Sequence, residues 1–168
     1  MCAFVALGTF GAAFGALIAG FSQDWIGRKK TILISTILFF VGNALVGIGP
    51  IRAFYTLLGR FLIGFSIGTT SMATPLYITE LTPPALRGRM ISIYVLLNAV
   101  GVFAAQAIGI MINLQWRYLF YAGAVMSFLQ FIGLCYLPQS PRWLAGKGNI
   151  KKAEIGLKMM YKKEYQQI

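Results

Sequence analysis

The sequence predicts an all-α protein, a bundle of five helices that crosses a membrane repeatedly. Residues 1–23, 31–51, 61–79, 90–116 and 118–141 contain no Asp, Glu, Lys or Arg, and the ten such residues before Pro141 fall in the gaps between them. A helix needs about 20 apolar residues to cross the bilayer hydrocarbon, where every backbone amide has to bond within its own segment. Each charge-free stretch is at or near that length. The composition agrees: mean hydropathy is +0.72, with 58% hydrophobic and 11% charged residues. Helices of a soluble domain alternate an apolar and a polar face, whereas these segments are apolar all round.

Taken in order, helices are expected at about 3–22, 31–49, 54–77, 90–112 and 117–137. The first segment has no cationic region ahead of its apolar core and is followed by four more of its kind, so it reads as a mature span and not a signal peptide. Pro50 punctuates the second gap and Pro83-Pro84 the third, while Pro138 and Pro141 stop the fifth helix by withholding the amide that a helix needs. Small residues recur at spacings that let helices approach closely: Gly11 with Gly15, Gly64 with Gly68, and Gly101, Ala105 and Gly109 on the fourth span. The division expected is a transmembrane bundle over 1–137 and a cytosolic, basic, amphipathic tail over 138–168. In that tail Ile150, Ala153, Leu157, Met160 and Tyr161 recur at helical spacing opposite Lys151, Lys152, Lys158 and Lys162.

Loop charge sets the orientation. The first gap, the third gap and the tail hold twelve Lys and Arg, against three (Arg52, Arg60 and Arg117) at the second and fourth gaps. Cationic loops stay in the cytosol, so the amino terminus is expected outside or in a lumen and the carboxy terminus in the cytosol. A chain that begins outside with an odd number of spans leads us to expect a preceding helix that this sequence lacks. Cys2 and Cys135 then lie near opposite faces and act as small hydrophobes rather than as a disulfide.

The net charge of +11 excludes little by itself. Nucleic-acid binding requires a basic surface on a soluble fold, and here the cations sit in loops, so no nucleic-acid partner is expected. With no histidine, one aspartate and three glutamates, the chain lacks the acid–base pairs of an enzyme and any usual set of metal ligands. No catalytic residue, metal or cofactor is expected.

The informative residues lie at the span ends. The first gap reads Gly20-Phe-Ser-Gln-Asp24-Trp-Ile-Gly27-Arg28-Lys29-Lys30, a tight turn in which Gly20 and Gly27 permit chain reversal and Asp24 can face a helix amino terminus. Pro75-Leu-Tyr77-Ile-Thr-Glu80 ends the third helix, and Arg87-Gly88-Arg89 precedes the fourth. Gly59-Arg60 followed by Gly64 opens the third helix, Trp116-Arg117 follows the fourth, and Pro138-Gln-Ser-Pro141-Arg142-Trp143 follows the fifth. In this order and register the set resembles the sugar-porter family of the major facilitator superfamily, over the second to sixth helices of its amino-terminal half.

That resemblance implies roles residue by residue. Gly20, Asp24, Gly27 and Arg28 match the family's signature loop, which latches two six-helix halves together on the cytosolic side; Trp25 stands where a basic residue is common. Glu80, Arg87 and Arg142 match charges paired across cytosolic helix ends as part of the inside gate. Gln139 replaces the usual glutamate of the Pro-Glu-Ser-Pro-Arg motif, so one carboxylate of that network is lost, although an amide still accepts a hydrogen bond.

Two polar residues within the spans are singled out. Gln106, inside a 27-residue charge-free run, needs either a helix–helix hydrogen bond or a polar cavity. The family places a sugar-contacting glutamine there, and two donors with an acceptor suit a polyhydroxyl ligand. Arg60 sits about 9 Å below the outer face at 1.5 Å per residue. It either snorkels to the headgroups or, as in proton-coupled family members, pairs with an acid on the first helix, making it a candidate proton-coupling partner.

The function expected is therefore a secondary carrier of a hexose or related polyol that works by alternating access, embedded in lipid of the plasma membrane or an organelle membrane. Its sugar site is completed by a first helix and a carboxy-terminal half, and protons are candidate co-substrates. A truncated or fragmentary membrane protein without transport of its own is the alternative. A channel is disfavoured by the lack of a charged ring or filter-like loop. Alkaline carbonate is expected to leave the chain in the membrane pellet, and reporters at Lys29 and Arg89 are expected to face the same compartment. Opposite compartments would refute the orientation.

Overall fold

The computed structural model describes residues 2–48, 53–111 and 117–148. The amphipathic helix expected over the Lys-rich tail, together with Arg52 and Trp116, lies outside them. The described chain forms α1 (Cys2–Trp25), α2 (Arg28–Ile48), α3 (Ala53–Leu81), α4 (Arg87–Met111), α5 (Arg117–Tyr136) and a short α6 (Pro141–Gly146). The first five are long and apolar enough to cross a membrane.

Four boundaries differ from the sequence expectation by three or four residues, all at the highly charged end, where α1 runs on to Trp25 and α4 already starts at Arg87. α2 starts at Arg28, directly after the turn, and α3 continues through Pro75 to Leu81 instead of stopping at 77. Proline withholds one ladder bond but does not compel a break where neighbouring helices support the chain. Past Pro75, Thr79 donates its hydroxyl to the Leu76 carbonyl at 2.7 Å and Thr82 donates to Ile78 at 2.7 Å, filling acceptors in the last turns. Pro83 then ends the helix, and a single 3-10 turn over Pro84–Leu86 leads into α4.

α3 is the spine. It packs along α1 on one side and α2 on the other; α2 in turn carries α5, while α4 meets only α3 and the 3-10 turn among the stronger packings. Glycine makes the α1–α3 contact possible. A Cβ on Gly15 would stand 2.1 Å from the Phe65 carbonyl oxygen, and one on Gly68 would stand 2.0 Å from that of Ala12. Gly11 and Gly64 are equally closed, by Phe61 and by Gly8. The backbones of the two helices therefore touch, the arrangement that lipid favours because it supplies no hydrophobic force between helices. Gly101 has nothing within 4 Å and Gly109 only a Leu119 methyl at 3.8 Å, so the small residues of α4 make no such contact here.

Burial is inverted relative to a water-soluble protein. On α2 the buried residues include Thr31, Ser35, Thr36, Gly42, Asn43 and Gly47, while Ile34, Ile37, Phe40 and Val41 point outward. Most inward hydroxyls are bonded, Thr74 Oγ1 being an exception among the described residues. Thr36 donates to the Ile32 carbonyl and Ser66 to that of Leu62, each at 2.8 Å, Ser35 and Thr70 share a bond across α2 and α3 at 3.0 Å, and Thr69 reaches the Gly15 carbonyl at 3.2 Å. A solvent of acyl chains accepts the large apolar side chains, leaving small and hydroxyl residues to fill the interior.

Gly68→Ala is expected to destabilise the bundle by about 1–3 kcal/mol, the usual cost of overpacking, because the Cβ meets backbone that cannot yield. Gly101→Ala, in open space, is expected to be neutral. Thermal unfolding of the purified chain in detergent distinguishes the two; equal melting temperatures would remove the α1–α3 contact from its central place.

Candidate functional site

The polar groups converge where α1 ends. Gly27 adopts φ 100°, in the left-handed region, and a Cβ there would also stand 3.2 Å from the Trp143 ring. Conformation and space both demand glycine. Gly20, expected to share the reversal, instead lies inside α1 with nothing within 4 Å of a Cβ. The turn is made by Gly27 alone because α1 continues through to Trp25.

Arg28, the first residue of α2, stands at the centre. Its Nη1 lies 3.0 Å from Asp24 Oδ1 and donates to the Gln23 carbonyl at 3.1 Å, and its Nε lies 3.2 Å from Glu80 Oε1. The last approach is an ion pair by distance, off line for a directed hydrogen bond. Side-chain exposure separates the two acids: Glu80 is 3% exposed and Asp24 66%. An exposed pair contributes about 0–1 kcal/mol, so Asp24 adds little, whereas a buried carboxylate persists only if its charge and lone pairs are met. Glu80 meets that condition, since its other oxygen accepts a hydrogen bond from the Ser140 hydroxyl.

Ser140 also orders the chain after α5. Its Oγ accepts from the Trp143 amide at 3.3 Å and so caps α6, whose first position is Pro141, the residue best suited to it. Trp143 Nε1 donates to the Asp24 carbonyl at 2.9 Å, and the Tyr77 hydroxyl donates to the Pro138 carbonyl. Lys29 donates to the Cys135 carbonyl at 3.1 Å and to that of Leu137, covering acceptors that the end of α5 leaves open. Four segments are thus tied through one buried acid and one arginine: the end of α1, the start of α2, the end of α3 and the chain from Tyr136 to Gly146.

The other expected members of the gate stand apart. Arg87 donates Nε to the carbonyl of nearby Thr82 at 3.2 Å and, like exposed Arg142, has no acid partner among the described residues. The oxygen of Gln139 is buried without a hydrogen-bond partner there, so the amide does not take up the acceptor role open to it. Arg60, toward the opposite end of α3, lies 4.8 Å over the Phe120 ring of α5 with its Nε buried and unbonded among the described residues. Gln106 is exposed on α4, a helix with no buried residue in its apolar window. Ser140, Tyr77, Trp143 and Lys29 were not singled out by sequence reasoning. Only Ser140 carried a local signal, an N-cap serine followed by proline. The described residues contain no group of three or more His, Cys, Asp or Glu that could hold a metal ion. The arrangement binds four segments of the chain together.

The chain resembles known proteins in sequence and in fold. The family described as "Sugar (and other) transporter" matches residues 1–168. The chain is 40% identical over 154 residues to the proton myo-inositol cotransporter of Homo sapiens, a match covering 89% of this chain and 24% of that one. It is 35% identical over 147 residues to the galactose-proton symporter of Escherichia coli (strain K12), covering 86% and 32%. Among solved structures, the partially occluded inward-open xylose transporter XylE from E. coli superposes with a TM-score of 0.84 at 23% identity, covering 98% of this chain and 45% of that one, which shows the shared fold. The chain spans about a quarter of the length of the first of these relatives and about a third of the second. The five apolar helices make this a multi-pass membrane chain, and the match along its whole length shows that it belongs to the family of sugar transporters, a family of transporters and not of enzymes.

Proposed function

We propose that these helices form part of one half of a secondary carrier for a hexose or related polyol, and that the Arg28–Glu80–Ser140 assembly is a latch of its cytosolic gate. The supporting observation is the nearly buried Glu80 carboxylate, held from two sides by groups on separate segments. Alternating access needs contacts that close one end of the bundle yet can be exchanged for others. A buried ion pair suits that task, being costly to break singly and close to neutral when replaced as a whole. The relatives named as inositol and galactose carriers support a polyhydroxyl substrate. Orientation follows the cationic turns: the Gly27 turn faces the cytosol, the amino terminus the outside or a lumen.

Within this reading Gln106 contacts the sugar. Its position on the open face of α4 leaves its amide free for a ligand enclosed by helices beyond the described ones. Arg60 is the candidate partner of an acid when transport is proton-coupled, as the names of both relatives specify for them. Its unbonded Nε and its place over Phe120 leave a cation poised for an anion from another helix.

The exposure of all α4 also favours a second reading, that the chain alone does not transport and acts only in association with other helices. Uptake of labelled myo-inositol or glucose into proteoliposomes separates the two: none is expected with the 168-residue chain, and uptake is expected on co-expression with the complementary helices of a full carrier. Failure in both settings would overturn the carrier reading. In the complemented carrier Gln106→Ala is expected to raise KM about tenfold, the loss of roughly 1.4 kcal/mol of hydrogen bonding, with insertion unchanged. An unaltered KM would return Gln106 to packing. Glu80→Ala is expected to destabilise the chain by about 2–3 kcal/mol, because it leaves the mostly buried Arg28 with only the exposed Asp24 as counter-charge and Ser140 without its acceptor, and Asp24→Asn by under about 1 kcal/mol. Chemical unfolding in micelles measures both, and equal losses would contradict the central place of Glu80.

A further inference from the structure

A cleft of about 270 Å³ opens beside the latch, between the α1–α2 turn and α6, lined by Asp24, Arg28, Arg142, Trp143, Gly146 and Lys147. Its charges are unevenly matched. Arg28 is engaged by Asp24 and Glu80, whereas Arg142 and Lys147 have no acid among the described residues; the Lys147 ammonium lies 5.9 Å over the Trp143 ring. Arg142 sits on α6 and Lys147 directly follows it as its C-cap, and α6 is held by the Ser140 cap and by the bond from Trp143 to Asp24. A preordered pair of cations binds an anion without the cost of collecting them.

We propose that this cleft binds a phosphate ester, with Arg142 and Lys147 as its ligands. A guanidinium fork grips two phosphate oxygens at once, and an ammonium adds a point charge on a third. A tetrahedral dianion or diester spans two such groups better than a planar carboxylate does. The surroundings place the cleft at the depth of lipid phosphates: Phe21 is 79% exposed and Trp25 82% exposed on the last turns of α1, and tryptophan gathers at the membrane–water interface. Lys30 adds an exposed positive charge on the same turn. The Asp24 carboxylate, paired to Arg28, sets one wall and opposes an anion that approaches too closely. The same chemistry is offered by the headgroup of an anionic phospholipid or by soluble phosphate.

Trp143 lines the cleft and reports on it. The purified 168-residue chain in neutral detergent is titrated with inorganic phosphate while tryptophan fluorescence is followed, and retained phosphatidylglycerol and phosphatidylcholine are counted by native mass spectrometry. The double variant Arg142→Gln, Lys147→Gln is compared throughout, with Lys30→Gln as the control outside the cleft. Each removed cation is expected to weaken binding about fivefold, from roughly 1 kcal/mol per cation near an anionic surface. Preferential retention of phosphatidylglycerol, lost in the double variant and kept in the control, identifies a lipid headgroup. A saturable fluorescence response to inorganic phosphate with the same pattern of loss identifies a soluble ligand. Equal retention of both lipids with no saturable phosphate response, or indistinguishable behaviour of the parent and the double variant, overturns the proposal. Circular dichroism verifies folding, and should the double variant unfold, the two single variants carry the same comparison at fivefold each.

Discussion

Backbone-to-backbone contact between α1 and α3 is the constraint from which the rest of the arrangement follows. Four glycines bring the two helices together until carbonyl oxygens stand where a side chain would begin. Hydrocarbon outside gives apolar side chains no reason to prefer the interior, so association rests on contact area and dispersion. With α1 fixed on one side, α3 offers its other side to α2, and α2 carries α5 by a similar device: Tyr121 packs on Gly47 and bonds its carbonyl at 3.1 Å, and Asn43 fills the space over Gly123.

The charged end depends on that spine. Glu80 reaches Arg28 because α3 runs on past Pro75 and carries the carboxylate to the level of the α1–α2 turn. Arg28 is available because α2 begins at it, and Ser140 because proline and a serine cap hold α6 in place. The buried acid therefore joins pieces far apart in sequence: residues 24, 28, 80 and 140 contribute to one assembly.

Sequence reading reached the five spans because charge-free length is decided by the solvent and is local. It reached Gly11, Gly15, Gly64 and Gly68 because in lipid small residues have one dominant use. It placed the end of α3 near residue 77, four residues short of Leu81; neighbouring helices and hydroxyl-to-carbonyl bonds carry the helix on past Pro75. It assigned Gly20 to the turn because motif spacing carries no information on how far a helix runs on. The division of labour between Glu80 and Asp24 was likewise hidden, since burial is a property of the assembled ends. The resemblance put Glu80, Arg87 and Arg142 among charges paired across helix ends, yet among the described residues it is Arg28 that meets Glu80.

The order of packing bears on how such a chain is made. α5 sits on α2, and α4, which precedes α5 in the chain, is bypassed with its flanks still bare. Synthesis delivers helices one after another, so α4 reaches the bilayer before α5 does, yet finds no groove waiting for it. In the folded chain α4 lies at the rim, tethered to α3 by the short Pro83–Leu86 connection, while α5 packs on α2. A bundle assembled in this way completes its centre first and keeps one helix in reserve, a loose flank on which later partners can be built.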